Sequence, residues 1–385
     1  MLYLLSHAYH IWPGVVAEAN RADTPAECVN CYDMYGVCNT NQRTLGRKEQ
    51  STSMSQNRTG RLTHRRGILD EHPSESMKLR SLRSPLYNGV FSEEHLPFKI
   101  TGYSVPCERH PQRNEDSFLI EQHSGMAAVF DGVGGSAAGE IAAQAGKRAT
   151  LQGWRAALRQ IHRGRNVQRY LEDCEKDDLH TLLQHLIEHA DELIRTEGVR
   201  EAGTDDLATT VALAALCRHS EKNEYTMFYA HVGDSRAYLL RGQEPIKRLT
   251  NDDGLLGRLV ENQLVDEADA HRIDQATHID ELSDAEFSYF RLRGGITQAL
   301  GGPFPPTIHI DQAPILIGDR ILICTDGIHD NLTDLEIEEI LRKAPRNAAA
   351  RLLVEHALLR SREERQVTIR AKPDDMSAIV MTRRY

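Results

Sequence analysis

Acidic residues recur in this chain at the ends of short apolar runs, where a sheet could bring them together. Glu115-Asp116 precede the run Ser117–Ile120. Ala128-Val129-Phe130-Asp131-Gly132-Val133-Gly134-Gly135 places Asp131 where a strand would exit into a Gly-rich turn. Asp205-Asp206 precede Thr209, Ile323-Cys324-Thr325-Asp326-Gly327 repeats the strand–Asp–Gly pattern, and Asp374-Asp375 lead into the last apolar run. Carboxylates on loops at strand ends are where a rigid sheet can hold metal ligands. Hard oxygen donors favour Mg²⁺ or Mn²⁺ over Zn²⁺. Glycine after aspartate removes the Cβ that would keep a backbone carbonyl from turning toward the same ion. One Asp-Gly pair is an ordinary turn; a series of them at strand ends in one region points to a metal centre.

The elements that must position these residues are legible as texture. From Pro97 onward, β-branched and apolar runs recur between Gly, Asp and Asn: Phe118–Ile120, Ala127–Phe130, Thr209–Leu216, Tyr225–Val232, Ala237–Leu240, Arg320–Cys324 and Ser377–Met381. Ala137 to Leu158 is Ala-rich and reads as a helix. Leu179, Leu182, Leu183, Leu186, Ile187, Ala190, Leu193 and Ile194 recur at helical spacing. Thr333 with Glu336 forms a capping box that opens a helix to Leu341, and Leu352 to Leu359 belong to another. Strands adjacent in sequence with helices gathered in two places predict α+β layers rather than βαβ alternation.

Charge divides the chain. Residues 1–97 carry 11 Lys/Arg against 10 Asp/Glu, while 98–385 carry 35 against 46, so the acidity lies in the second part. Asn41 to Arg66 is basic and polar with almost no apolar periodicity, which predicts a disordered extension over 1–97. Cys28, Cys31 and Cys38 lack a fourth ligand nearby and make an incomplete zinc site. The apolar stretch Met1 to Trp12 has no Lys or Arg before Arg21 and is broken by His7 and His10, so a secretory leader is not expected. No run of about 18 apolar residues exists to span a membrane. Seven cysteines without regular spacing suit a reducing, cytoplasmic setting. A net charge of −10 disfavours nucleic-acid binding, which needs a basic surface.

The order of the motifs resembles the metal-dependent Ser/Thr protein phosphatases of type 2C, the PPM family, in its bacterial branch. The resemblance runs through Arg113-Asn114-Glu115-Asp116-Ser117, Phe130 to Gly135, Ala208-Thr209-Thr210 and His231-Val232-Gly233-Asp234-Ser235-Arg236-Ala237-Tyr238. It continues through Ile296 to Gly301, Thr325-Asp326-Gly327 and Asp374-Asp375-Met376-Ser377, and covers about 98–385. It implies a four-layer α/β/β/α sandwich, two antiparallel sheets flanked by helices. It implies two Mg²⁺ or Mn²⁺ ions, with Asp131 bridging them, Asp326 and Asp374 on the first, and Glu115 and the Gly132 carbonyl on the second. Asp116 would support bound water, and Asp205 matches the ligand of a third, weaker ion. The implied substrate is a phosphoprotein bearing phosphoserine or phosphothreonine, in circuit with a Ser/Thr kinase or its targets, and the expected state is a monomer. The stretch of about 250–295 matches the family's bacterial flap, and Gly233 to Arg236 reads as a structural turn. Where the family usually places its phosphate-binding Arg this chain has Pro111; Arg109 and Arg113 flank it, and either could serve. Asp375 stands where Asn is common, and Val133 where animal members carry His.

Other chemistries compete. A pseudophosphatase would keep the fold and bind a phosphoprotein, but every implied carboxylate is present. Cys107 to Arg113 satisfies the Cys-x5-Arg spacing of thiol phosphatases, yet Pro111 removes one N–H from the phosphate cradle. His185-Leu186-Ile187-Glu188-His189 fits an inverted zinc-protease pattern, yet the helical wheel puts both histidines opposite the apolar stripe, toward solvent.

Overall fold

The computed structural model describes residues 96–133, 138–164, 176–219 and 224–385. All of them fall in the compact unit Glu94–Tyr385. The extension expected over 1–97, with its three cysteines, lies outside the described residues except for Leu96 and Pro97. In chain order the strands are β1 (Phe98–Val105), β2 (Asp116–Glu121), β3 (Met126–Asp131), β4 (Val211–His219), β5 (Glu224–Val232), β6 (Arg236–Leu240), β7 (Lys247–Arg248), β8 (His309–Ile315), β9 (Arg320–Cys324) and β10 (Met376–Arg383). They form two antiparallel sheets, ordered β1-β10-β9-β6-β7 and β2-β3-β4-β5-β8.

The period-2 alternation of these strands creates the layers. Ala127 and Val129 of β3, Ala212, Ala214 and Leu216 of β4, Ile321 and Ile323 of β9, and Ile379 and Met381 of β10 meet in one cluster between the sheets. Their neighbours face outward under helices. Ala128 and Phe130, with Leu213, Ala215 and Cys217, pack beneath α1 (Gly139–Gly164) and α2 (Lys176–Leu193). Leu322, Cys324, Ala378 and Val380 pack beneath α8 (Asp334–Lys343) and α9 (Ala349–Ser361), which follow α7 (Asp326–His329). The four-layer sandwich expected from the motifs is the observed one.

Local chemistry explains the helices. Ala142, Ala143, Ala145 and Ala149 keep the inner face of α1 thin, so it lies close to β3. Trp154 is fully buried at its far end and donates its indole N–H to Ser124 Oγ at 2.8 Å, which satisfies the polar atom of a large apolar group. Thr333 and Glu336 make the expected capping box on α8. After α2 a π-helical turn (Ile194–Gly198) and α3 (Val199–Ala202) lead back toward β4.

The stretch of about 250–295, expected to be a flap, holds α4 (Leu255–Glu261), α5 (Glu267–Gln275) and α6 (Asp284–Leu292) around a small core of Val265, Ile273, Ala276 and Phe290. It is tied down by charge: Asp274 of α5 pairs with Arg236 of β6, and Arg370 donates to the Asp274 and His329 carbonyls. No helix among the described residues is long and apolar enough to cross a membrane.

Candidate metal centre

The two sheets bring four separated segments to one rim. Asp131 ends β3 and Asp116 begins β2, and the two are direct partners in the antiparallel register. Like charges placed directly opposite repel, so this pairing works against the sheet it belongs to. Thr209 Oγ1 and the Thr210 N–H both donate to the Asp131 carbonyl at 2.8 Å, fixing the strand exit. Asp326 follows β9 and opens α7; its N–H lies 3.4 Å from Asp131 Oδ2. Asp374 precedes β10.

Both Asp-Gly glycines are required by close backbone approach. A Cβ on Gly132 would stand 2.5 Å from the Gly139 carbonyl and 2.6 Å from that of Glu115. A Cβ on Gly327 would stand 2.0 Å from the Asp375 carbonyl oxygen. The glycines therefore let the four segments converge.

The carboxylates are short of positive charge. Burial, then Asp326 and Asp116, push the Asp131 carboxyl well above its ordinary range. Burial pushes Asp116 well up too, although Ser377 and Thr325 oppose the shift; Thr325 Oγ1 donates to Asp116 Oδ2 at 2.8 Å. Burial raises Asp326, with Lys372 opposing and Asp374 adding, and burial raises Glu115 against the pull of Arg113. Asp116 Oδ1 and Asp326 Oδ1 are buried without a hydrogen-bond partner. Buried carboxylate oxygens left unpaired are costly, and an all-oxygen donor set is the kind Mg²⁺ or Mn²⁺ takes. The residues fit the divalent pair that the motifs imply.

Three participants were not legible in the sequence. Lys372 Nζ lies 2.5 Å from Asp326, 2.7 Å from Asp330 and 3.1 Å from Asp374, so an ammonium shares the carboxylates expected to hold the first ion. Asp375, which follows Asp374 and stands where Asn is common, is buried; its Oδ1 accepts the Cys107 N–H at 2.5 Å and its Oδ2 the Glu115 N–H at 2.7 Å. It therefore fixes the loop that presents Glu115. Asp234, read as part of a structural turn, is buried beside the rim, and burial followed by Asp326 raises it well above the usual range. The signal that could have found Lys372 is its place two residues before Asp374.

Of the two flanking arginines, Arg113 is half-exposed, with Nη2 3.0 Å from Glu115 Oε1, and Arg109 is exposed. Asp205 stands exposed between α3 and β4, and no described interaction links it to the other carboxylates. Cys107 is buried and burial raises its thiol, the reverse of what a thiolate nucleophile needs. His185, Glu188 and His189 are exposed on α2, as the wheel predicts.

A sequence profile described as protein phosphatase 2C matches residues 105–363. The chain belongs to this family. The serine/threonine protein phosphatase PstP of Mycobacterium tuberculosis is 28% identical over 247 residues, which are 64% of this chain and 39% of that protein. The chain thus spans about two-fifths of that relative's length. The crystal structure of the M. tuberculosis phosphatase PstP/Ppp superposes with a TM-score of 0.52 at 25% identity, covering 75% of this chain and 99% of that one. A PstP catalytic domain solved with 2 manganese ions shares the fold, with a TM-score of 0.50 at 24% identity over 74% of this chain and 97% of that one.

Proposed function

We propose that this chain is a metal-dependent phosphatase that hydrolyses phosphoserine and phosphothreonine in proteins. The observation that carries the reading is the rim of like-charged, buried and half-buried carboxylates, two with an unpaired buried oxygen, at the end of a 2C-type sandwich. Asp131, Asp326 and Asp374 would hold one cation; Asp131, Glu115 and the Gly132 carbonyl would hold a second, and Asp205 a third, weaker one. Such cations supply a water acidic enough to attack near neutral pH and neutralise charge on the phosphoryl group.

The chain's own residues do the rest. Asp375 orients the Glu115 loop through two backbone N–H groups. Asp116, held by Thr325, is placed to accept a hydrogen bond from water at the rim. Arg113, anchored beside Glu115 yet half-exposed, offers a planar guanidinium to a phosphate dianion. No covalent phosphoenzyme is needed, and buried Cys107 would not supply one. Residues 98–385 form the catalytic region in this reading, 1–97 an extension, and the protein acts as a cytoplasmic monomer upon the products of a Ser/Thr kinase.

The test is turnover of p-nitrophenyl phosphate and a phosphothreonine peptide by the full chain. Activity should require Mn²⁺ or Mg²⁺, stop with EDTA, and fall at least about 10³-fold in Asp131→Asn. Full activity in EDTA, or loss on thiol alkylation alone, would overturn the reading.

A further inference from the structure

The carboxylate rim leaves His231, Asp253 and His309 unused. His231 lies near the end of β5 and His309 begins β8, and the two are register partners. Their rings stack with centroids 4.8 Å apart and planes 21° apart. Asp253 comes from the turn that enters the flap, and its Oδ1 lies 2.9 Å from His309 Nε2. The three residues can each present a ligand atom with all three atoms within 4.8 Å of one another.

The hydrogen bonds around them determine which atoms are free. His231 is 5% exposed, and its Nε2 sits 2.7 Å from the Asn251 carbonyl, an acceptor that requires the proton on Nε2. Nδ1 is then a bare lone pair, buried and without a partner. Burial also lowers the pKa of this imidazole, favouring its neutral, ligating form. Asp253 Oδ2 accepts the Gly233 N–H at 2.9 Å, while Thr297 N–H and Oγ1 hold the Asp253 carbonyl at 2.7 and 3.0 Å. The aspartate is thereby fixed with Oδ1 turned toward His309.

We propose that His231 Nδ1, Asp253 Oδ1 and His309 Nε2 form a separate binding site for a borderline divalent cation, Zn²⁺ in preference to Mg²⁺. Two imidazoles and a carboxylate are the donors such ions select, whereas Mg²⁺ takes oxygens. Histidine ligands ordinarily pass their other N–H to a carbonyl, and ligating carboxylates are themselves hydrogen-bonded; Asn251 and Gly233 already fill those places. Tetrahedral zinc with bonds of about 2.0–2.2 Å sets its ligand atoms roughly 3.3–3.6 Å apart. Asp253 Oδ1 and His309 Nε2, hydrogen-bonded at 2.9 Å, must therefore part slightly and give up the proton between them, within a trio whose atoms all lie within 4.8 Å of one another. The His309 side chain, 44% exposed, has room to make that movement and leaves a solvent-facing position for water. A filled site joins the β5–β8 strand pair to the first residues of the flap.

The test uses the full chain, stripped with chelator, returned to excess Mg²⁺ and titrated with Zn²⁺ by calorimetry. Wild type should bind one more equivalent than His309→Ala and Asp253→Asn, or bind it at least about tenfold more tightly. Co²⁺ in the same place should give a tetrahedral visible band that both variants lose. Cys28, Cys31 and Cys38 are present in all three proteins, so they cannot produce the difference. Turnover in Mg²⁺ should be unchanged in His309→Ala, which also reports that the variant is folded. Identical Zn²⁺ isotherms for wild type and both variants, or complete displacement of the ion by Mg²⁺, would overturn the proposal. Neither result depends on whether the rim hydrolyses phosphate.

Discussion

Asp252 and Asp274, the one half-buried and the other buried, match half-buried Asp131 and buried Asp116 and Asp234 in depth, but their acidities move the other way. The first two flank Arg236, whose Nη2 lies 2.5 Å from Asp252 and whose Nη1 lies 3.2 Å from Asp274. Burial alone would raise both carboxyls, yet Arg236, helped by Arg248, outweighs it and holds them below the usual range. At the rim, burial and like charge act together and raise Asp131, Asp116 and Asp234. Lys372 reaches Asp326, Asp330 and Asp374 and leaves the others without a cation of their own. Where the chain supplies the counter-charge, a carboxylate cluster serves as an internal clamp; where it withholds it, the same residue type becomes a receptor for cations.

Opposite substitutions should break this comparison if it is wrong. Arg236→Met strands two buried carboxylates and should cost about 3–5 kcal/mol. Asp131→Asn removes one of several crowded charges and should stabilise the metal-free protein by about 1 kcal/mol, the worth of roughly one pKa unit. Urea unfolding in EDTA measures both, and a loss in both variants would refute the contrast. The acid limb gives an independent sign. Because Asp252 and Asp274 are depressed in the folded state, their stabilisation is present above the ordinary carboxylate range. It is lost as pH falls through and below about 4, where the unfolded chain takes up protons first. That part of the acid dependence should be missing from Arg236→Met.

Lys372 sharpens the comparison at the point where the two kinds of cluster meet. Its ammonium holds Asp326 Oδ2 and reaches Asp374, while Asp326 Oδ1 stays unpaired, so it draws on the same negative charge that a divalent cation would need. Desolvation works against the charge, but Asp326, Asp330 and Asp374 outweigh it and hold the lysine well above its ordinary value. Lys372→Met should tighten Mn²⁺ binding about tenfold, or roughly 1.4 kcal/mol, by direct calorimetry. Asp330 keeps Arg293, whose Nε is 3.4 Å away, so the fold should survive the change. Weaker Mn²⁺ binding in the variant would show that Lys372 supports the ion rather than competing with it.

What the sequence made legible follows from the range over which each feature is encoded. β3, β4, β9 and β10 are apolar runs of a few residues, packed on both faces, and their outlines are readable. β1 and β8 are not: Gly102 interrupts one, while Asp311, Pro314 and an exposed face blur the other. Both are edge strands, where a proline is tolerated because one side of the ladder is unpaired. Thr209 and Thr210, expected inside a strand, instead precede β4, and Thr209 bridges Gly132 and Leu300. The carboxylates stood out because each sits at a strand end with a glycine or second acid beside it. Lys372 and Asp375 act across the fold, Lys372 on Asp326 and Asp375 on Cys107; their places beside Asp374 mark them as neighbours of the site but do not say which residues they reach. Asp234 sits in a short turn between two core strands, a pattern that reads as structural, and only the fold sets it, buried, beside the rim.

The smallest expected effect concerns a cation at the edge of the rim rather than within it. Arg113 pairs with Glu115 at 3.0 Å, but its side chain is 52% exposed, so solvent screens the pair and its net stabilisation is small. Arg113→Ala should therefore leave the unfolding midpoint nearly unchanged. Its guanidinium can swing from Glu115 to an incoming phosphate once cations neutralise that carboxylate, so its loss should appear in binding. KM for p-nitrophenyl phosphate should rise several-fold, by about 1 kcal/mol of lost charge-assisted hydrogen bonding, with kcat within about threefold of wild type. Arg109→Ala should change KM less, because Arg109 has no described contact with a rim carboxylate. If Arg109→Ala raises KM and Arg113→Ala does not, the phosphate contact belongs to Arg109. Arg113 would then act as a counter-charge for Glu115, closer in kind to Arg236 than to a substrate ligand.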